Sequence, residues 1–233
     1  MPTVDTPTIV EEVAANVPDY CVPAETGILQ EIESTRASPY FVHHPTVDNP
    51  LAPTVVFLPG GSGSRRSAQR AWERYLSEGD GMETFRLIVP YSDDIDLLDD
   101  TLRTYRILDE VLECYGGDAN GDANKVHVGG VSNGGHGAYV LMLVRPERFV
   151  TLFGAPGEFP TIDPARWAES LKGRSVFNGV GASDEDWIPG VKATRDGLVE
   201  AGIDSVYMEF PGQGHIVSDE FDESIFFEFW MGH

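Results

Sequence analysis

The sequence predicts an α/β fold: one mostly parallel sheet of about eight strands flanked by helices, in a single domain without a large cap. Three observations carry that expectation. Short β-branched and apolar runs recur along the chain, and from the third onward they alternate with helical stretches, as parallel strands joined by helical crossovers require. One run, Lys125-Val126-His127-Val128-Gly129, passes straight into Gly130-Val131-Ser132-Asn133-Gly134, which puts a serine between glycines where a buried strand turns into a helix. At 233 residues the chain suits one domain with a substantial core, and it holds no internal repeat and no apolar run of membrane-spanning length.

Taken in order, strand-like runs cover 27–33, 38–44, 55–58, 86–91, 126–131, 150–153, 176–180 and 206–210. After the third run, Pro59-Gly60-Gly61-Ser62-Gly63-Ser64 is a loop, and Ala68, Ala71, Trp72, Tyr75 and Leu76 then share one helical face. The stretch 97–115 places Leu98, Leu102, Tyr105, Leu108, Leu112 and Tyr115 on one face of a packed helix. Residues 135–144 are apolar enough for a buried helix, which Pro146 ends. Between Phe153 and Ser175 there is room only for a short helix and loops, so an open cleft is expected. The last segment, from Ser218, reads as a helix with an acidic first turn and with Ile225, Phe226, Phe229 and Trp230 inward. Residues 1–26 form an irregular arm in this reading, and 27–233 the catalytic domain.

The glycines around Ser132 carry chemical meaning. A serine held in a strained backbone needs neighbours without side chains, so that helix and strand approach closely and Oγ stands clear. A nucleophile elbow of this kind is followed along the chain by an acid and then a histidine, each on a loop leaving the carboxyl end of a strand. The run 175–181 leads into Ala182-Ser183-Asp184-Glu185-Asp186, and 204–210 breaks into Pro211-Gly212-Gln213-Gly214-His215. A serine hydroxyl is a weak nucleophile until an imidazole takes its proton, and a carboxylate fixes that imidazole's tautomer. Ser132, Asp184 and His215 are the expected nucleophile, acid and base, with Glu185 and Asp186 open as alternative acids. An oxyanion hole needs backbone N–H donors: Gly61, or Ser62, supplies one and Asn133 the second. A phosphate-binding loop is disfavoured, since no Gly-Lys-Ser/Thr follows the glycines.

The run from Lys125 to Ala138, with Pro146-Glu147-Arg148-Phe149 behind it, resembles the elbow, helix and Pro-x-x-Phe segment of small α/β-hydrolases of the esterase, polyhydroxybutyrate-depolymerase and feruloyl-esterase-like group. The matching segments extend from about Thr54 to the carboxyl terminus. The resemblance implies the α/β-hydrolase fold and a serine esterase that needs no cofactor, acting on small-molecule or polymer-linked esters. Two departures stand out. Pro59 occupies a position where many relatives carry histidine, which leaves the backbone donor intact, and the acid loop is one residue longer, which keeps the identity of the acid open. An acyltransferase or thioesterase with the same triad, or a non-catalytic binding protein on the same fold, are the alternatives.

A formal charge of −22, from 38 acidic and 16 basic residues, opposes binding to nucleic acid or to anionic membrane surfaces. Asp118, Asn120, Asp122 and Asn124 alternate like a calcium loop, but its twelfth position is Gly129 rather than a bidentate glutamate, so no metal is expected. Cys21 and Cys114 either form one disulfide or remain two buried thiols. Residues 1–23 have no basic start and no continuous apolar core and so do not read as a signal peptide, which leaves cytoplasmic location or export with an absent leader both open. Trp187, beside the acid loop, is expected to line the acyl or alcohol site, and Trp72, Trp167 and Trp230 to pack helices.

Overall fold

Eight strands form one sheet in a computed structural model that describes residues 18–47, 49, 52–94, 101–115, 126–159 and 164–233. In chain order they are β1 (Leu29–Ile32), β2 (Tyr40–His43), β3 (Thr54–Leu58), β4 (Arg86–Pro90), β5 (Val126–Gly130), β6 (Thr151–Gly154), β7 (Ser175–Gly181) and β8 (Asp204–Phe210). Across the sheet the order is β1-β2-β4-β3-β5-β6-β7-β8. The pairs β1–β2 and β2–β4 are antiparallel and all the others parallel. The described helices are α1 (Arg65–Tyr75), α2 (Thr101–Tyr115), α3 (Asn133–Val144), α4 (Pro164–Ser170), α5 (Ile188–Glu200) and α6 (Ser224–Met231). Each strand from β2 to β6 is buried along its whole length, which is why these runs read as continuous apolar stretches rather than alternating ones. From β3 the chain steps to β4 on one side and returns to β5 on the other. That reversal opens a crevice at the carboxyl ends of β3 and β5, where open α/β sheets bind ligands.

Alternation along the strands sends side chains into two cores. Val56, Leu58, Ile88 and Val128 meet Tyr139 and Met142 of α3 on one face, and Val55, Phe57, Leu87 and Phe153 meet α1 and α6 on the other. In the second core Phe153 stacks on Phe177 at 4.8 Å between ring centroids and meets Phe226 edge-on at 4.5 Å. Each such ring, fully buried, contributes roughly 1.5–3 kcal/mol. Trp167 and Trp230 are core residues, whereas Trp72 is half-buried against His43. Between β6 and β7 the described chain offers only the seven-residue α4, so no large cap covers the sheet's end.

Two expectations about the helices need correction. The inward stripe of α2 runs through Tyr105, Ile107, Leu108 and Val111, while Leu102 is exposed at the helix's amino end, ahead of the first residue that meets the sheet; Leu98 lies outside the described residues. The final helix begins at Ser224 rather than Ser218, and its first turn has no acid. Its acids act just before it: Asp222 accepts from the Ser224 N–H, and the Glu223 carboxylate reaches away to the Glu78 N–H at 2.9 Å. The pattern of α5 is weak, because only Val191, Thr194 and Leu198 of its thirteen residues are buried. The acidic run 118–124 lies outside the described residues.

Cys21 and Cys114 are joined as a disulfide across 93 positions of sequence. It tethers residues 18–26, which carry no helix or strand beyond a bridge from Thr26 to His44, to the end of α2. Closing a loop of that length removes chain entropy worth on the order of 4–5 kcal/mol from the unfolded state.

Burial of Glu223 raises its carboxyl to about 7. The sign follows directly: the folded protein holds this proton between the ordinary carboxylate range and neutrality while the unfolded chain has released it, so stability falls as pH rises through that window. Glu223→Gln keeps the acceptor for Glu78 and removes the charge. The variant is expected to lose less stability than wild type between pH 5 and 8, by on the order of 1–2 kcal/mol after solvent screening, in denaturant titrations at both pH values. An unchanged difference between the two pH values would refute the assignment.

Candidate active site

Ser132 sits at the turn from β5 into α3 with φ of 57° and ψ of −124°, the one non-glycine residue with positive φ among those described. Its neighbours must be glycine for steric reasons. A Cβ at Gly130 would lie 2.3 Å from the Gly134 carbonyl oxygen, and one at Gly134 would lie 2.1 Å from the Leu58 oxygen. Such strain costs on the order of 1–3 kcal/mol and persists only where surrounding bonds enforce it. Here the Ser132 N–H donates to the Pro156 carbonyl at 2.7 Å, and the His136 N–H donates to the Ser132 carbonyl at 3.1 Å.

The loops after β7 and β8 bring two further groups to this serine. His215 Nε2 lies 2.9 Å from Ser132 Oγ, and its Nδ1 lies 2.8 Å from Asp184 Oδ2. The loops are locked together: the Ser183 N–H donates to the Gln213 carbonyl, and a Cβ at Gly181 would fall 2.1 Å from the Gly214 oxygen. Asp184 is buried, whereas Glu185 and Asp186 are exposed and take no part in this chain of bonds. With Nδ1 donating to the carboxylate, Nε2 is free to accept a proton from Oγ, the geometry a general base requires.

The Gly60–Gly61 loop closes the site at the end of β3. A Cβ at Gly60 would meet the Val131 carbonyl at 3.0 Å and the Ser132 Cβ at 3.3 Å, so the loop passes directly over the elbow. Asn133 Nδ2 donates to the Gly61 carbonyl at 3.0 Å and fixes the loop's orientation. The backbone N–H groups of Gly61 and Asn133 meet no acceptor among the described residues, which leaves both available to an incoming oxyanion. Ser62 is exposed beside them.

Sequence reasoning missed one wall of the site. A cavity of about 670 Å³ opens on Ser132 and His215, and α1 supplies its side through Ser67, Arg70, Arg74 and Tyr75. Ser67, Arg70 and Arg74 are three and four apart on a helix that starts at the glycine loop, a spacing that puts them on one face but does not say what that face borders. Burial drives the Tyr75 hydroxyl up to about 12, so it is a neutral hydroxyl in the cavity's lining. Trp187 is not part of this cavity's lining; its ring lies between two imidazoles, 5.2 Å from that of His215 and 5.0 Å from that of His136.

No protein-family model matches the chain, and no curated protein matches it in sequence. Solved structures do resemble it. A carboxylesterase from Mesorhizobium loti superposes with a TM-score of 0.61 at 18% identity, covering 88% of this chain and 99% of that one. A protein described as a predicted CIB-like hydrolase from Thermoplasma acidophilum gives 0.63 at 15% identity, with 88% and 99% covered. A thermostable esterase gives 0.62 at 18% identity over 88% of this chain, which spans only 62% of that protein's length. The strand order, the elbow at the end of β5 and these likenesses together show that the chain has the α/β-hydrolase fold.

Proposed function

We propose that the protein is a serine hydrolase that cleaves carboxylic esters through an acyl-serine intermediate, with residues 27–233 as the catalytic domain and 1–26 as an arm. The observation that carries this reading is the continuous hydrogen-bonded series from Asp184 through His215 to Ser132, with the serine on a strained turn beneath a glycine loop. Ser132 Oγ attacks the ester carbonyl as His215 Nε2 takes its proton. The carbonyl oxygen, now negative, is held by the Gly61 and Asn133 N–H groups, and Asp184 stabilises the imidazolium. The imidazolium returns the proton to the departing alcohol oxygen, leaving Ser132 acylated. Water, deprotonated by the same nitrogen, then releases the acid. No cofactor enters any step.

The neighbours named as esterases support ester substrates. A fluorophosphonate probe is expected to label the protein on Ser132, and p-nitrophenyl esters of increasing acyl length to be hydrolysed with a burst where deacylation is slow. Absence of labelling together with absence of hydrolysis across the panel would overturn the reading.

A further inference from the structure

The α1 wall of the cavity is cationic, which is unexpected in a chain carrying 38 acidic and 16 basic residues. Several described basic side chains have acidic partners: Arg36 pairs with Glu113, Arg65 with Glu31, Arg148 with Asp109 and Lys192 with Glu209. Arg70 has none among the described residues. The acid nearest to it by helical spacing, Glu73, is engaged by Gln69 Nε2 at 3.0 Å instead. Arg66 and Arg74 lie four positions to either side of Arg70, and like charges at that spacing destabilise a helix by roughly 0.2–0.5 kcal/mol per pair. Arg74 is restrained by the Val217 carbonyl at 2.9 Å and by Asp219 at 2.8 Å on the outer side. Among the described residues no acid lines the cavity itself.

The geometry relates this charge to the reacting centre. A Cβ on Gly61, the candidate oxyanion donor, would lie 3.5 Å from Ser67 Oγ. Arg70 is one turn along α1 from Ser67, about 4.5 Å of helix rise. A guanidinium without a partner, on the wall of an acid-free cavity one helical turn from the oxyanion loop, is suited to paired hydrogen bonds with a planar anion. We propose that the cavity takes esters bearing a free carboxylate a few bonds from the scissile carbonyl, and that Arg70 binds that carboxylate with Arg74 reinforcing the local charge. This inference rests on the proposed ester hydrolysis and names the substrate class of the same site.

The test uses two pairs of esters, each pair differing only in charge. In the first the acyl half is varied: p-nitrophenyl hydrogen adipate against its N-methylamide. In the second the leaving group is varied: 3-(4-acetoxyphenyl)propanoate against its N-methylamide. Wild type is expected to favour the anionic member by about tenfold or more in kcat/KM in one pair, which also identifies the half that carries the carboxylate. Arg70→Ala should abolish that preference chiefly through KM, Arg70→Lys should restore part of it, and Arg66→Ala, off the cavity, should leave the ratio as in wild type. A wild-type ratio at or below one in both pairs, or a ratio that survives Arg70→Ala, would overturn the proposal. Calorimetry of monomethyl adipate and of 3-(4-acetoxyphenyl)propanoate with the Ser132→Ala protein separates this from failure of the hydrolase reading. Binding that disappears in the Ser132→Ala, Arg70→Ala double variant supports the anion site even if no ester is cleaved, whereas no binding in either removes the site.

Discussion

Ser132→Ala is expected to lower ester turnover by about six orders of magnitude while the protein stays folded. Among the described residues His215 Nε2 has Ser132 Oγ as its partner at 2.9 Å, and loss of that hydroxyl leaves the proposed base nothing to activate but water. What remains is the rate supplied by substrate binding and by the two backbone N–H groups over the elbow, since these do not depend on the serine hydroxyl. The fold should tolerate the change, because the strained turn is imposed by Gly130, Gly134 and the Pro156 carbonyl rather than by Oγ. Single-turnover and steady-state assays on the purified variant, beside a thermal melt, provide the measurement. A folded variant that keeps more than a few percent of wild-type turnover would remove Ser132 from the mechanism.

The sequence was most informative where local sterics and chain order act together. The elbow was legible because only glycine fits at 130 and 134, where any side chain would collide with backbone, so the constraint is written into residue type. The three side chains that the structure links by hydrogen bonds are those selected by the order serine, acid, histidine, each at a strand's carboxyl end. Which of three adjacent acids turns inward was not legible. That choice depends on the turn after Gly181 and on the crossing of the β7 and β8 loops, both tertiary facts. The cationic wall was invisible for a similar reason: α1 shows its Ala68, Ala71 and Tyr75 face by periodicity, but the structure alone reveals that Arg70 and Arg74 border a cavity completed by Val217 and Ser218 from beyond β8. The start of α6 at Ser224 was not legible either. Glu223 is drawn off by the Glu78 N–H, more than a hundred positions away in sequence, and no local pattern reports such a bond.

Asp184→Asn is expected to cost about four orders of magnitude in turnover, with Glu185→Gln and Asp186→Asn each changing it by less than about twofold. The asymmetry comes from placement: Asp184 is buried with Oδ2 2.8 Å from His215 Nδ1, whereas its two neighbours face solvent. Asparagine preserves size but fails twice. It cannot stabilise the imidazolium that forms as Oγ gives up its proton, and its NH₂ group turned toward Nδ1 favours the tautomer protonated on Nε2, which cannot accept from the serine. The loss should therefore appear in kcat far more than in KM, because the carboxylate acts on the transition state and touches no substrate. Fluorophosphonate labelling gives a second readout: it should slow in parallel with ester turnover in Asp184→Asn while Ser132 remains the only labelled residue. If the large loss falls instead on Asp186→Asn or Glu185→Gln and Asp184→Asn stays active, the acid is misassigned and the β7 loop adopts another arrangement in solution, with the proposed Ser132–His215 pair left standing.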